Sequence, residues 1–329
     1  MKLPRRQFLH LAGSAAALPA VSRIAWAQTY PSRSVTMIVP FAAGGGSDVV
    51  GRIMAEQMRG TLGQRIIVEN VAGAAGSIGA GRVARAAPDG HTLGLGQWGT
   101  HVLNGALYSL PYDVIDDFEP VSLIAENPLL VVARKSLPAK DLTELIAWLN
   151  ANREKASQGT SGVGGASHVA GVLFQQLSGT QFQFVPYRGA GPAMQAVAAE
   201  QVDLMFDSPT TSLSQSRAGI IKAYAVTAKR RLAAAPEIPT VEEAGLPGLH
   251  VSVWYALFAP RHTPRPIIDK LNIAVRDALG KRQVRQRLME MGLELPAREQ
   301  QTPEALAAFQ KAEIEKWWPI IKAAGIKGE

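Results

Sequence analysis

The chain of 329 residues contains no cysteine. That absence excludes disulfide staples, thiol nucleophiles and thiolate-held metal, and leaves the chain indifferent to an oxidising compartment. Long apolar runs are missing as well; no stretch is long and apolar enough to span a bilayer. No block of Lys and Arg stands out, so nucleic acid is not an expected partner. The six histidines are scattered, with no pair at helix-ligand spacing and no H-E-x-x-H, so no metal site is expected. Catalytic signatures are absent too. Gly76-Ser77-Ile78-Gly79 has Ala75 where a nucleophile elbow needs glycine, and Gly159-Thr160-Ser161-Gly162 ends in Val163. There is no Gly-Lys-Ser/Thr phosphate loop, and Gly44-Gly45-Gly46 is not the G-x-G-x-x-G dinucleotide pattern. No catalytic residue and no cofactor are therefore assigned.

What is present is ample core material: 47% of residues are apolar, in a chain long enough for two domains. The N-terminus carries three export signals in order. Arg5 and Arg6 form a twin-arginine start, Leu11–Val21 is moderately apolar and Ala-rich, and Ala25-Trp26-Ala27 offers small residues for signal peptidase. Residues 1–27 read as a leader, with Gln28 as the new N-terminus. Without Lys2, Arg5, Arg6 and Arg23 the formal charge falls from +7 to +3, a mild excess.

The chain is organised around Val35–Arg59. A buried strand over Val35–Phe41 leads into Ala42-Ala43-Gly44-Gly45-Gly46, and Ser47-Asp48 open a helix whose Val50, Ile53, Met54 and Met58 face a core. Free backbone N–H groups at such a helix start, together with its dipole, favour an anion. Strands over 65–71 and 91–97 follow, separated by glycines and a short helix from Ser77. This β-α-β-α-β pattern predicts a parallel sheet with ligands beyond the carboxyl ends of its strands, where Gly44–Ser47, Gly73–Ser77 and Gln97–His101 fall.

Two apolar runs broken at Asn127-Pro128 fit a crossing between domains. A second glycine-rich turn, Gly159–His168, supplies the hydroxyls of Thr160, Ser161 and Ser167 ahead of another helix, repeating the first design. Strands over 182–187, 202–207, 221–227 and 251–259 alternate with helices, and a helical tail closes the chain with a kink or break expected at Pro319. Asp207 reads either as a strand-end cap or as a cleft residue. Tyr187 and Arg188 can reach a carboxylate across a cleft, although Arg188 equally suits a solvated loop. Trp98 and Trp254 suit core or hinge packing better than ligand walls; a Trp98 facing a cleft would narrow it.

Taken in order, Tyr30-Pro31-Ser32-Arg33, Pro40–Gly45, Leu62-Gly63-Gln64, Val68-Glu69-Asn70, Ala87–Gly90, Leu110–Asp113, Val185–Gly189, Val202–Asp207, Ile238–Val241, Glu243–Gly248 and Leu257–Pro260 resemble the Bug receptors, the substrate-binding proteins of tripartite tricarboxylate transporters. The match covers nearly all of the chain after the leader. It departs in the first turn, where many relatives have Pro-Gly-Gly and this chain has Ala43-Gly44-Gly45, and at Trp98, bulkier than the small polar residue expected there.

The resemblance implies an α/β, type II periplasmic binding fold: two α/β lobes around a central cleft, joined by two crossings. Lobe 1 would hold residues 28–127 and 252–329, and lobe 2 residues 128–251. It also implies a ligand carboxylate against Ala43, Gly44, Gly45, Gly46, Ser47 and Asp48; Gln97 joins this site from its place at the end of the third strand. Thr160, Ser161, Ser167 and His168 would hold the other end, and Tyr187, Arg188, Ala190 and Asp207 would line the same cleft. The implied protein is an exported, monomeric, non-enzymatic receptor in the periplasm. It captures a small organic or aromatic carboxylate by hinge closure and passes it to membrane permease subunits. A receptor reporting to a membrane sensor, and an exported hydrolase or lyase on the same scaffold, are the alternatives.

Overall fold

The computed structural model describes residues 30–153 and 155–328; the leader expected from the sequence lies outside the described residues. The first strand, β1 (Val35–Val39), sends Val35, Met37 and Val39 to one face and Ile38 to the other, all fully buried. A strand covered on both faces reads as a continuous apolar run, and this one does. Helix α1 (Gly46–Leu62) follows, laying Val50, Met54, Met58 and Leu62 at four-residue spacing onto the first of those faces. Each such burial stabilises by roughly 2 kcal/mol. Gly63, in the left-handed region, stops the helix and returns its N–H to the Arg59 carbonyl.

β2 (Ile66–Asn70), α2 (Ser77–Ala84) and β3 (Thr92–Gln97) complete the first unit, with β1 paired in parallel to both β2 and β3. Two stretches of the family pattern meet here: the Tyr30 hydroxyl donates to the Gly90 carbonyl at 2.7 Å, and Arg33 pairs with Asp89 at 3.2 Å. A π-helical turn at Gly99–Leu103 leads into α3 (Asn104–Leu107).

β4 (Phe118–Pro128) then passes through the single residue Leu129 into β5 (Leu130–Arg134), which belongs to a different sheet. The chain continues through α4 (Leu142–Ala151), β6 (Ser157–Thr160), α5 (Ala166–Ser178), β7 (Gln183–Pro186), α6 (Ala190–Ala198), β8 (Leu204–Asp207), α7 (Pro209–Arg217) and β9 (Ile221–Val226). Asp141 caps α4 by accepting from the Glu144 N–H, as the Asp-x-x-Glu spacing predicts. The chain returns to the first sheet as β10 (Ser252–Pro260) and ends in α8 (Arg265–Gly280), α9 (Arg282–Glu290) and α10 (Pro303–Ala323).

The strand orders are β2-β1-β3-β10-β4 and β7-β6-β8-β5-β9. Both sheets are mixed rather than purely parallel. β10 runs antiparallel to β3 and β4, and β5 antiparallel to β8 and β9. The reason is the crossing itself. A strand arriving from the other sheet enters at the end where its new neighbours finish, so it must run against them.

Of the kink or break expected at Pro319, the break is not found. α10 is one unbroken helix of 21 residues with Pro319 inside it. Pro319 is exposed, and so is Glu315, whose carbonyl loses its helical partner, so water can take that hydrogen bond. Trp317 and Ile321 bury on either side and hold the helix to the core.

Candidate functional site

The turn after β1 leaves Ala43, Gly44, Gly45 and Gly46 exposed, while Ser47 and Asp48 are buried. Gly44 adopts φ +83°, a region that disfavours any side chain. Its N–H donates to Asp48 Oδ2 at 2.9 Å. The same carboxylate receives Arg52 Nε at 3.0 Å, Arg52 Nη2 at 3.0 Å and Asn70 Nδ2 at 3.0 Å. Hydrogen bonding from Arg52 chiefly, with Gly44 and Asn70 adding, holds the Asp48 carboxyl at about 2, below its usual value, against the opposing effect of burial. Asp48 is therefore engaged inside the turn, which it pins. The first turn of α1 has no side-chain cap, which leaves its leading N–H groups directed outward.

Gln97, at the end of β3, is tied through its backbone to the Thr100 hydroxyl at 3.1 Å, and its side-chain amide makes no hydrogen bond within the described residues. It pairs across the ladder with Tyr255 of β10. The Tyr255 hydroxyl lies 3.0 Å from where a Cβ on Gly46 would stand, so the first turn rests on this tyrosine. Asn127 lies beside the Tyr255 hydroxyl and meets the Ser208 hydroxyl at 3.1 Å. Ser208 in turn caps α7. A polar path thus runs from the first turn, across the end of β4, to the turn after β8.

In the second sheet, β6 pairs in parallel with β7 and β8, so their carboxyl ends lie side by side. Ser167 is buried; its hydroxyl accepts the Ser161 N–H at 2.7 Å and meets the Ser161 hydroxyl at 3.0 Å. Thr160 is buried beneath the Gly162 backbone, and the Tyr187 N–H bonds the Thr160 carbonyl at 3.0 Å. Gly189, at φ +116°, turns the chain into α6, which begins at Ala190 without a side-chain cap. Arg188 is exposed and makes no side-chain hydrogen bond or ion pair within the described residues. The Asp207 carboxylate accepts from the hydroxyls of Thr211 and, at 2.7 Å, Ser212, both on α7. Burial pushes its pKa up despite those donors.

Two residues point elsewhere. The His168 ring accepts the Gly164 N–H at 3.0 Å, packs edge-on against Phe184 at 4.5 Å and lines a groove shared with Ile326 near the chain end. Trp98 is fully buried against Trp317, with ring centres 5.0 Å apart, so it packs the core and does not narrow a cleft. Conversely, Tyr255, Asn127 and Ser208 were not among the residues singled out from the sequence. The Asn127-Pro128 break marked Asn127 only as chain punctuation. Among the described residues no group of His, Asp and Glu is placed to hold a metal ion.

Two α/β sheets joined by short crossings, with uncapped helix starts at adjacent strand ends, define a solute-binding receptor of the two-lobe type. The chain belongs to the tripartite tricarboxylate transporter family of receptors, whose family pattern matches residues 50–326. MatC of Rhodopseudomonas palustris, solved with bound malate, is 43% identical, covers 89% of this chain and 100% of its own, and superposes with a TM-score of 0.77. The periplasmic binding protein BugD is 38% identical over 91% of this chain and 100% of its own, with a TM-score of 0.77. A second R. palustris protein, solved with adipate, is 34% identical over 91% and 99%, with a TM-score of 0.80. The expectation of a periplasmic solute-binding receptor of the Bug type, on a two-lobe α/β fold, is borne out.

Proposed function

We propose that this receptor binds a small organic acid bearing at least one carboxylate, in a cleft between lobe 1 (residues 28–127 and 252–329) and lobe 2 (128–251). The single observation that carries the reading is the polar path Tyr255–Asn127–Ser208, which joins the turn after β1 to the strand ends of the second sheet. On this reading the N–H groups of Gly45, Gly46 and Ser47 hold one carboxylate, and the Gln97 amide lies beside it. Ser161, the N-terminus of α6 at Ala190, Tyr187 and Arg188 hold the far end. Asp48, Thr160, Ser167 and Asp207 shape the turns without touching ligand. Backbone donors and helix dipoles neutralise the acid with little net charge in the site. The malate and adipate of the related structures support an aliphatic acid of similar size.

Hinge motion at the two crossings then shifts the population from open to closed forms, and the closed form delivers the acid to the membrane permease subunits. The receptor acts as a monomer and leaves its ligand chemically unchanged. Export follows from the twin-arginine leader; Arg5→Lys with Arg6→Lys is expected to leave the precursor inside the cell, and normal export of that variant would refute the route. The binding reading is tested by thermal unfolding against malate, adipate, citrate, aromatic acids and amino acids. At a hundredfold excess over Kd a true ligand adds about 2.7 kcal/mol of stability. A shift with one class of acid, recovered intact by mass spectrometry, is the expected result; conversion of the acid to a product would refute the receptor reading.

A further inference from the structure

Beyond the hinge lies a cavity of about 680 Å³ that takes no part in the proposed ligand site. Its position follows from topology. β4 and β9 are the edge strands of their sheets, on the side away from β2 and β7. Glu294 bridges to Glu126 along the free edge of β4, and both line the cavity with Glu313 of α10. Lys229 and Arg230, just after β9, line it from the second lobe. The crossings Leu129 and 250–252 therefore stand between this cavity and the turns after β1, β6 and β7.

The charges on the two walls are opposite and uncommitted. Glu126 and Glu294 are half-buried and make no side-chain hydrogen bond, and neither forms an ion pair within the described residues. Lys229 and Arg230 likewise make no side-chain hydrogen bond or ion pair within the described residues, and both are exposed. Their neighbours are occupied: Arg231 pairs with Glu243 at 2.8 Å, Lys316 Nζ donates to the His250 carbonyl at 2.6 Å, and Trp317 Nε1 donates to Glu313 at 3.2 Å. Arg285 of α9 is the remaining cation, on the first-lobe wall.

We propose that these charges form a counter-latch: Lys229 and Arg230 of lobe 2 attract Glu126 and Glu294 of lobe 1 across the back of the hinge and hold the cleft open. This rests on the two-lobe hinge reading above. Rotation about the crossings that brings the ligand turns together must draw the walls of the rear cavity apart. Closing the front works against the attraction at the back, so the latch sets how much of a ligand's binding free energy goes into closure. Two half-buried carboxylates with no protein partner have no evident structural reason to face two cations otherwise.

The latch also titrates. Burial, then Glu294 and Glu313, push the Glu126 carboxyl up to about 7, with Lys229 pulling the other way. Glu294 and Glu313 are raised by burial as well, and Lys316 lowered. The titratable and charged groups that line the cavity with Glu126 are Glu294, Glu313, Lys316, Arg285, His250, Lys229, Arg230 and Arg231, the last paired with Glu243. Glu126 is charged above its raised pKa, so the attraction weakens as the pH falls through it.

The absence of cysteine makes the test clean, because Glu56→Cys on α1 and Gln195→Cys on α6 provide the only labelling sites, both exposed. Spin-label distances are measured in the leaderless chain without ligand and with malate or adipate, for the native sequence and for Lys229→Gln with Arg230→Gln. Expected are a larger short-distance population in the ligand-free variant and affinity for the acid higher by on the order of fivefold. Raising the salt concentration should shift the native chain the same way and leave the variant unmoved. In Glu126→Gln, lowering the pH from 8 to 6 should no longer favour the short distance, on the order of the carboxyl's own titration range. Distances that shorten with acid but are identical in native chain and variant overturn the latch and leave the receptor reading intact. An enlarged open population in the variant overturns the latch as well. Distances that no acid and no substitution changes overturn both the latch and the hinge.

Discussion

Asp48 shows how a single side chain builds a site without touching the ligand. Its carboxylate collects the Gly44 N–H, both faces of Arg52 and the Asn70 amide, and so fixes a turn that glycine alone would leave loose. Its folded pKa, about 2, lies below the usual 3.8. The stability it contributes is therefore fully present above the usual value and lost as the pH falls through the folded one. Asp48→Asn is expected to lower stability by about 1–2 kcal/mol at neutral pH, discounted because Arg52 is half exposed, and by little near pH 2. Equal stability of the two proteins across that range, measured by urea unfolding, would contradict this role. Asp48, Ser167 and Asp207 stand out in the sequence as acids and hydroxyls at strand ends. The sequence could not tell that their partners would be Gly44, Ser161 and Ser212, because those pairings depend on how each turn folds back on itself.

At the scale of elements the pattern was largely legible. Buried runs such as Val35–Val39, helix stripes such as Val50, Met54 and Met58, and the Asp141 cap are local signals, and the structure contains them all. The orientation of β5 and β10 was not legible, because it is decided by entry from the other sheet rather than by any residue within the strand. The continuity of α10 through Pro319 was not legible for the opposite reason. The local rule that proline ends a helix gave way to tertiary packing of Trp317 and Ile321. Pro319 still costs the helix a hydrogen bond. Pro319→Ala is expected to raise stability by about 2 kcal/mol, the propensity gain less the added freedom of the unfolded chain. A lower unfolding midpoint for that variant would mean that the helix depends on the proline.

For the whole molecule, the two sheets behave as one design used twice: parallel strands end in short polar turns, and uncapped helix starts follow. What turns two such units into one receptor is the pair of crossings, which carry Asn127 and Tyr255 to the junction and place opposed charges behind it. The sequence showed the units and the break between them. It did not show Asn127 meeting Ser208, a contact between residues 81 apart that exists only once both sheets have formed.

The most direct test of this account is a crystal structure of the receptor with the panel acid that raises its unfolding midpoint most. The account expects one carboxylate oxygen within hydrogen-bond reach of the Gly45, Gly46 or Ser47 N–H, directly or through one water, and the other end of the acid against Ser161 or the start of α6. An acid bound with its carboxylate away from both turns would contradict it.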